Sequence, residues 1–202
     1  MAHFRSAAEA LWAAPDLSRR GGRKRAIRLA DRAAAEAKIE ALYQLCGKLI
    51  ELGESGYPMP HAAIADPLPL IQVLGYPCWD GITWASLARN ASAAGRRLAR
   101  DIAPDIGGCY LVVLGMARGI DTAAHQGAMT TGTIAVVAGG VDVTYPRENQ
   151  PLYEDLLAHG AVIAEQPFGT QPIARHFPLR NRLISGLFLG ILVVETRTGR
   201  EP

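Results

Sequence analysis

The chain has 202 residues, of which 49% are hydrophobic, 20% charged and 6% aromatic, with 21 Lys and Arg against 19 Asp and Glu. That length buries the core of one domain with a small appendage, and the composition excludes a wholly disordered chain. A net charge of +2 implies no polyanionic partner by itself, so such a partner would need clustered charge.

In chain order, Ser6–Ala14 and Ile27–Leu52 are rich in Ala, Glu, Leu and Arg and predict helices. Ile39, Leu42, Tyr43, Cys46 and Ile50 recur at three- and four-residue steps, as on an amphipathic helix that runs into a short strand at Lys48–Leu52. Between them lies RRGGRKR, Arg19 to Arg25, whose glycines end a helix and whose charges read as a solvated turn. Residues 1–45 are expected as a shortened helical segment and 46–202 as one larger domain. Gly53–Pro69 is rich in Gly and Pro and reads as irregular. From Ile82 onward, short apolar runs (Ile82–Leu87, Tyr110–Leu114, Ile134–Val137, Val162–Ala164, Leu189–Val194) alternate with helical segments. Ser92 is placed to cap a helix that stops before Pro104, Asp121 to cap one ended by Gly132, and Asn149 to cap one ended by Gly160. Strands alternating with helices predict an α/β fold with a Rossmann-like parallel sheet flanked by helices. Leu111–Leu114 and Ile191–Val194 are continuously apolar, as strands covered on both faces should be.

No apolar run approaches the roughly 18 residues of a membrane span, and the start lacks a secretory pattern. Cys46, Cys78 and Cys109 form no CxxC pair and are expected as buried, reduced thiols. The five histidines show no HxxxH or HxH spacing, so no metal and no cofactor are expected. GxGxxG, GxxxxGK[ST] and GxSxG are all absent, which disfavours dinucleotide, triphosphate and acyl-transfer chemistry. Asp121 and His125 lie one helical turn apart, but without a nucleophile they read as a cap and a packed histidine rather than a catalytic pair. No catalytic residue is therefore assigned.

Ligands of an open parallel sheet bind outside the carboxyl ends of its strands. Four loops fall on that edge, carrying Arg89 and Ser92; Gly115, Arg118, Gly119 and Asp121; Gly139 and Gly140; and Arg180, Asn181 and Arg182. Helix N-termini, close-approaching glycines and planar guanidinium groups together suit phosphate. Each loop alone reads as an ordinary tight turn; their coincidence favours an anionic ligand.

GMARGIDTAAH (Gly115–His125), AGGVDVTYPREN (Ala138–Asn149) and FPLRNRLISG (Phe177–Gly186) resemble the DNA-processing protein A (DprA/Smf) family, as do ARNASAAG (Ala88–Gly95) and Tyr57-Pro58. The resemblance implies a cytoplasmic, non-enzymatic protein of natural transformation that binds and protects single-stranded DNA and helps to load the RecA recombinase. By the same resemblance Arg89, Arg118 and Arg180-Asn181-Arg182 contact DNA phosphates in one pocket. Aromatic residues are few near these loops, so phosphate contacts should outweigh base stacking; Phe177 reads first as a buried residue closing its loop and second as a stacking contact. Leu87 and Leu114 stand where the family has glycine and serine, so Leu87→Gly with Leu114→Ser is expected to raise affinity. The chain reads as a truncated or divergent member, which leaves a homodimer and the RecA contact open. The alternatives are a Rossmann-like nucleotide-processing enzyme, whose PGGxGTxxE loop AGGVDVTYPRE matches poorly, and a degenerate copy with little activity.

Overall fold

The structure is a computed structural model that describes residue 4 and residues 6–58, 62–64, 66–76, 83–87, 92–108, 110–187 and 190–195. It divides into two compact units, residues 1–38 and 39–202. In the first, α1 (Ala7–Arg20) starts where the Ser6 hydroxyl accepts the Glu9 N–H and runs through Pro15 to Gly21. The following turn is tied by Ser18, whose hydroxyl donates to the Pro15 carbonyl and accepts the Ile27 N–H. The basic residues from Arg19 to Arg28 around that turn are exposed. Helix α2 (Arg32–Gln44) ends in the second unit, where Leu42 is buried.

The second unit is built on seven strands: β1 (Lys48–Glu51), β2 (Leu70–Gly75), β3 (Thr83–Leu87), β4 (Tyr110–Leu114), β5 (Thr133–Val137), β6 (Ala161–Ala164) and β7 (Gly190–Leu192), in the order β1-β2-β6-β5-β4-β3-β7. Strands β3 to β7 are parallel as expected, whereas β1 and β2 add an antiparallel hairpin at the β6 edge. The sequence reading gives no strand at Leu70–Gly75. Buried Gln72 interrupts that apolar run because its amide donates to the Gln166 carbonyl at 2.7 Å, anchoring the loop after β6.

The β4–β5, β5–β6 and β3–β4 connections are α4 (Ile120–Ala128), α5 (Gln150–His159) and α3 (Ala93–Gly107). These three pack on one face, with Val112, Leu114, Ala135, Val137 and Val162 pointing toward them. From β6 the chain crosses by α6 (His176–Leu187) on the other face, where Leu183 and Leu187 meet Leu111, Val113, Ile134, Val136 and Ile163. Strict alternation within runs buried on both sides explains why these strands read as continuously apolar.

One helix limit and one cysteine differ from expectation. Helix α3 continues past Pro104 to Gly107. Proline supplies no N–H for the Arg100 carbonyl four residues back, and Gly127 of α4 lies against that carbonyl so closely that a Cβ would collide with it. Cys46 is exposed rather than buried, because it sits in the turn between α2 and β1 at φ 57°; Cys78 and Cys109 lie outside the described residues.

His125 is fully buried against the sheet. The Thr133 hydroxyl donates to the Val112 carbonyl at 2.9 Å, so at 2.7 Å it accepts from His125 Nδ1–H, which fixes the neutral tautomer. Burial, with the Arg180 charge adding to it, pushes the His125 pKa down to about 3. The unfolded chain binds this proton below about pH 6.5, whereas the fold refuses it. Stability contributed by this site should thus fall as pH drops from about 6.5 toward 3, by about 2 kcal/mol at about pH 5. Urea unfolding of wild type and His125→Asn at about pH 7.5 and about pH 5 checks this; the variant, which keeps an N–H for Thr133, should lose that part of the slope.

Candidate functional site

Between the end of β4, the segment before α5 and the first turns of α6 lies a cavity of about 280 Å³, lined by Gly115, Met116, Arg118, Tyr145, Phe177 and Arg180 among others. It lies at the carboxyl end of β4, beside the first turns of α6, at the sheet edge where ligands of parallel sheets bind.

Arg180 forms the floor. It is 4% exposed, and its Nη1 donates to the carbonyls of Gly115 at 2.6 Å and Val136 at 2.7 Å, while Nε donates to Asn181 Oδ1 at 3.1 Å. Its guanidinium lies 5.9 Å from the centroid of the Phe177 ring, and Phe177 meets Tyr145 edge-on at 5.6 Å. Gly115 must be glycine here, since a Cβ would overlap the guanidinium. Tyr145, 52% exposed, was not singled out in the sequence; its place within the TYPREN motif was the available signal.

The loop above that floor is closed by a carboxylate. Asp121 Oδ2 accepts the N–H groups of Gly115 and Ala117, both at 3.1 Å, and the loop passes through Met116 at φ 58°. Asp121 was expected to cap its own helix, but the cap position is Gly119, whose φ of 96° requires glycine. Asn149 likewise makes no side-chain cap; its amide donates to the Met116 carbonyl at 2.8 Å and to Thr122 Oγ1 at 3.1 Å. The loop is therefore held from both α4 and α5.

Arg118 is the outward-facing cation. Its side chain is 72% exposed and donates to Glu148 Oε1 at 2.5 Å. The hydrogen bond from Arg118 holds Glu148 below the usual carboxylate range, and the same bond raises Arg118.

The other expected residues spread more widely. Successive helical residues point about 100° apart, so Arg180, exposed Asn181 and Arg182 do not share one wall. Arg182 donates to Asp66 Oδ2 and Glu165 Oε1, each at 2.8 Å, and is not among the described residues that line the cavity. Gly140 gives its N–H to the Thr170 carbonyl at 2.9 Å, and a Cβ on Gly139 would lie 2.6 Å from that same oxygen. These two glycines let the loops after β5 and β6 close on each other. Ser92 caps α3, accepting the Gly95 N–H at 3.0 Å, and gives its own N–H to Glu195 Oε2 at 2.8 Å. Arg89 and the side chain of Leu87 lie outside the described residues. Leu114 corrects an expectation. It is 1% exposed and packs with Val112, Ile120 and Ala124 on the α3–α4 face, so a serine there would bury its hydroxyl instead of offering it to a ligand.

Among the described residues no group of three or more His, Cys, Asp or Glu could hold a metal ion, and no helix is long and apolar enough to cross a membrane. Fold and site together define a Rossmann-like α/β protein whose sheet edge, at the carboxyl ends of the strands, combines a buried arginine, an exposed arginine and an aromatic pair.

The family described as DNA recombination-mediator protein A matches residues 48–199, and a DprA-like N-terminal HHH domain matches residues 1–41. The chain belongs to the DprA/Smf family. It is 38% identical over 112 residues to DNA processing protein DprA of Streptococcus pneumoniae, covering 54% of this chain and 40% of that one. The Bacillus subtilis DprA is also 38% identical over 112 residues, covering 53% and 37%. The chain thus matches well under half the length of these relatives. The X-ray structure of the pneumococcal protein superposes with a TM-score of 0.67 at 30% identity, over 78% of this chain and 57% of that one. A Helicobacter pylori DprA structure, described for its single-stranded DNA binding mode, shares the fold with a TM-score of 0.62 at 20% identity, over 73% and 68%.

The two pocket arginines should respond differently to truncation. Arg180→Ala strands two buried carbonyls and should cost about 3 kcal/mol or more, whereas Arg118→Ala should cost about 0.5 kcal/mol or less. Leu114→Ser should cost about 2–5 kcal/mol through a cavity and a buried hydroxyl. Thermal and urea unfolding of the three variants measure these differences.

Proposed function

We infer that this chain binds single-stranded DNA at the cavity where Arg118 meets Tyr145, Phe177 and Arg180. The observation that carries this reading is one exposed guanidinium beside an aromatic pair at the carboxyl edge of the sheet. Arginine offers a planar fork to phosphate oxygens, and an aromatic face takes any base. Such contacts position a strand without reading its sequence, so sequence preference is weak. The single-stranded DNA binding named for the Helicobacter pylori relative is consistent with this. Arg89, Asn181 and Arg182 belong to the DNA contact by resemblance, and Ser92, Gly139 and Gly140 by the place of their loops on the same sheet edge. Within the cell the role is that of the family: a cytoplasmic protein of natural transformation that shields an incoming strand and assists RecA loading, with or without a homodimer. A binding role, rather than nucleotide hydrolysis, is supported by Glu148, the carboxylate of the AGGVDVTYPRE loop, being engaged with Arg118.

Fluorescence anisotropy of labelled oligo(dT) at several salt concentrations tests the reading. Log affinity should fall linearly with log salt, with about 0.7 of slope for each phosphate contact. Affinity indifferent to salt, or confined to one sequence, would overturn it. Arg118→Ala should weaken binding about tenfold, because a hydrogen bond to a charged group contributes about 1.5 kcal/mol. Glu148→Gln removes the anion that competes for Arg118 and should tighten binding about two- to fivefold, the scale of an exposed ion pair.

A further inference from the structure

A second concavity, of about 790 Å³, lies between α3 and α4. Arg96, Arg97 and Arg100 line it from α3 and Gln126 from α4, and Arg118 is the residue it shares with the edge cavity. Among the described residues of the lining, Asp101 is the single acidic one, against four arginines. Among the described residues neither Arg97 nor Arg100 has an ion-pair partner; Arg100 donates instead to the neutral Gln126 side chain.

These charges work against the helix that carries them. The first turn of α3 has no acidic residue, and Arg96 and Arg97 follow directly, near the end where the helix dipole disfavours cations. Arg96 and Arg100 are also like charges one turn apart, about 6 Å along the axis. The opposite side of the helix, at Gly95, Ala99 and Ala103, is buried, so the arginines are not needed for packing. The excess of positive charge along this exposed flank suits a ligand of opposite charge.

The geometry points to a continuation of the strand path: a single strand of DNA held at the edge cavity passes Arg118 and lays its next phosphates along Arg96, Arg97 and Arg100 in the α3–α4 groove. This rests on the single-strand reading above and extends it from one pocket to a track. Guanidinium groups on flexible stems accept phosphates at varied spacing, and among the described residues the groove offers no aromatic side chain for base stacking.

The test compares oligo(dT) of about 6 and about 20 nucleotides by anisotropy across a salt series. The variants are Arg96→Gln/Arg97→Gln/Arg100→Gln and the corresponding triple lysine replacement, with circular dichroism to confirm folding. Wild type should bind the longer strand more tightly and with a steeper salt slope. The glutamine variant should lose at least about tenfold in affinity for the long strand and about 2 units of slope, at about 0.7 for each lost contact, while binding the short strand within about twofold of wild type. The lysine variant should restore long-strand binding. Unchanged long-strand affinity in the glutamine variant, equal loss for both lengths, or failure of lysine to restore would overturn the groove. Wild type that binds the short strand with no gain for the long one overturns the groove while leaving the edge site standing. Wild type that binds neither overturns both.

Discussion

The edge of this protein is organised by a cation that water scarcely reaches. Arg180 comes from α6 on one face of the sheet and takes the carbonyls at the ends of two neighbouring strands, Gly115 after β4 and Val136 in β5. A buried guanidinium is tolerable only where its donors are satisfied, and its partners would be stranded without it. Gly115 is small because the guanidinium occupies the space of a side chain, and Phe177, one helical turn before Arg180, covers it. The charge also reaches His125, adding to the burial that keeps that imidazole neutral.

The same edge satisfies its own anion sites. Helix N-termini and successive loop amides commonly hold phosphate, yet here the amides of Gly115 and Ala117 are taken by Asp121, and the Ser92 amide at the start of α3 by Glu195. Among the described residues the edge presents side-chain charge to solvent, chiefly Arg118, with aromatic surface beside it. Recognition by mobile arginines instead of fixed amides favours tolerance over discrimination, since a flexible stem can follow a backbone whose geometry varies.

Much of the fold was legible because its strands are short, apolar and separated by helices with clear ends at Gly21 and Gly160. Strand β2 was hidden by Gln72, a buried polar residue whose partner lies 94 positions away, and no local pattern reports such a contact. Pro104 suggested a helix end, but the carbonyl it leaves free is covered by another helix. At the site, sequence motifs placed Arg118 and Arg180 at one cavity, yet could not show that one is a floor and the other a hand. Neighbouring residues in a motif look alike in sequence even when the helix turns them apart, as Arg180 and Arg182 demonstrate. Leu114 seemed a lost ligand contact only because its side chain could not be seen facing the core.

The fit of Gly127 against the Arg100 carbonyl has a bearing on how the two helices can move. At that point no side chain intervenes, and with small alanines packed along the rest of the contact α3 and α4 meet closely, so neither can slide outward without losing it. Whatever enters the furrow between them meets walls that are already in place, so the adjustment falls to the arginine rotamers. The entropic penalty is then confined to the side chains that become ordered, about 0.5–1.5 kcal/mol for each one immobilised, with no added cost for bringing two helices into line.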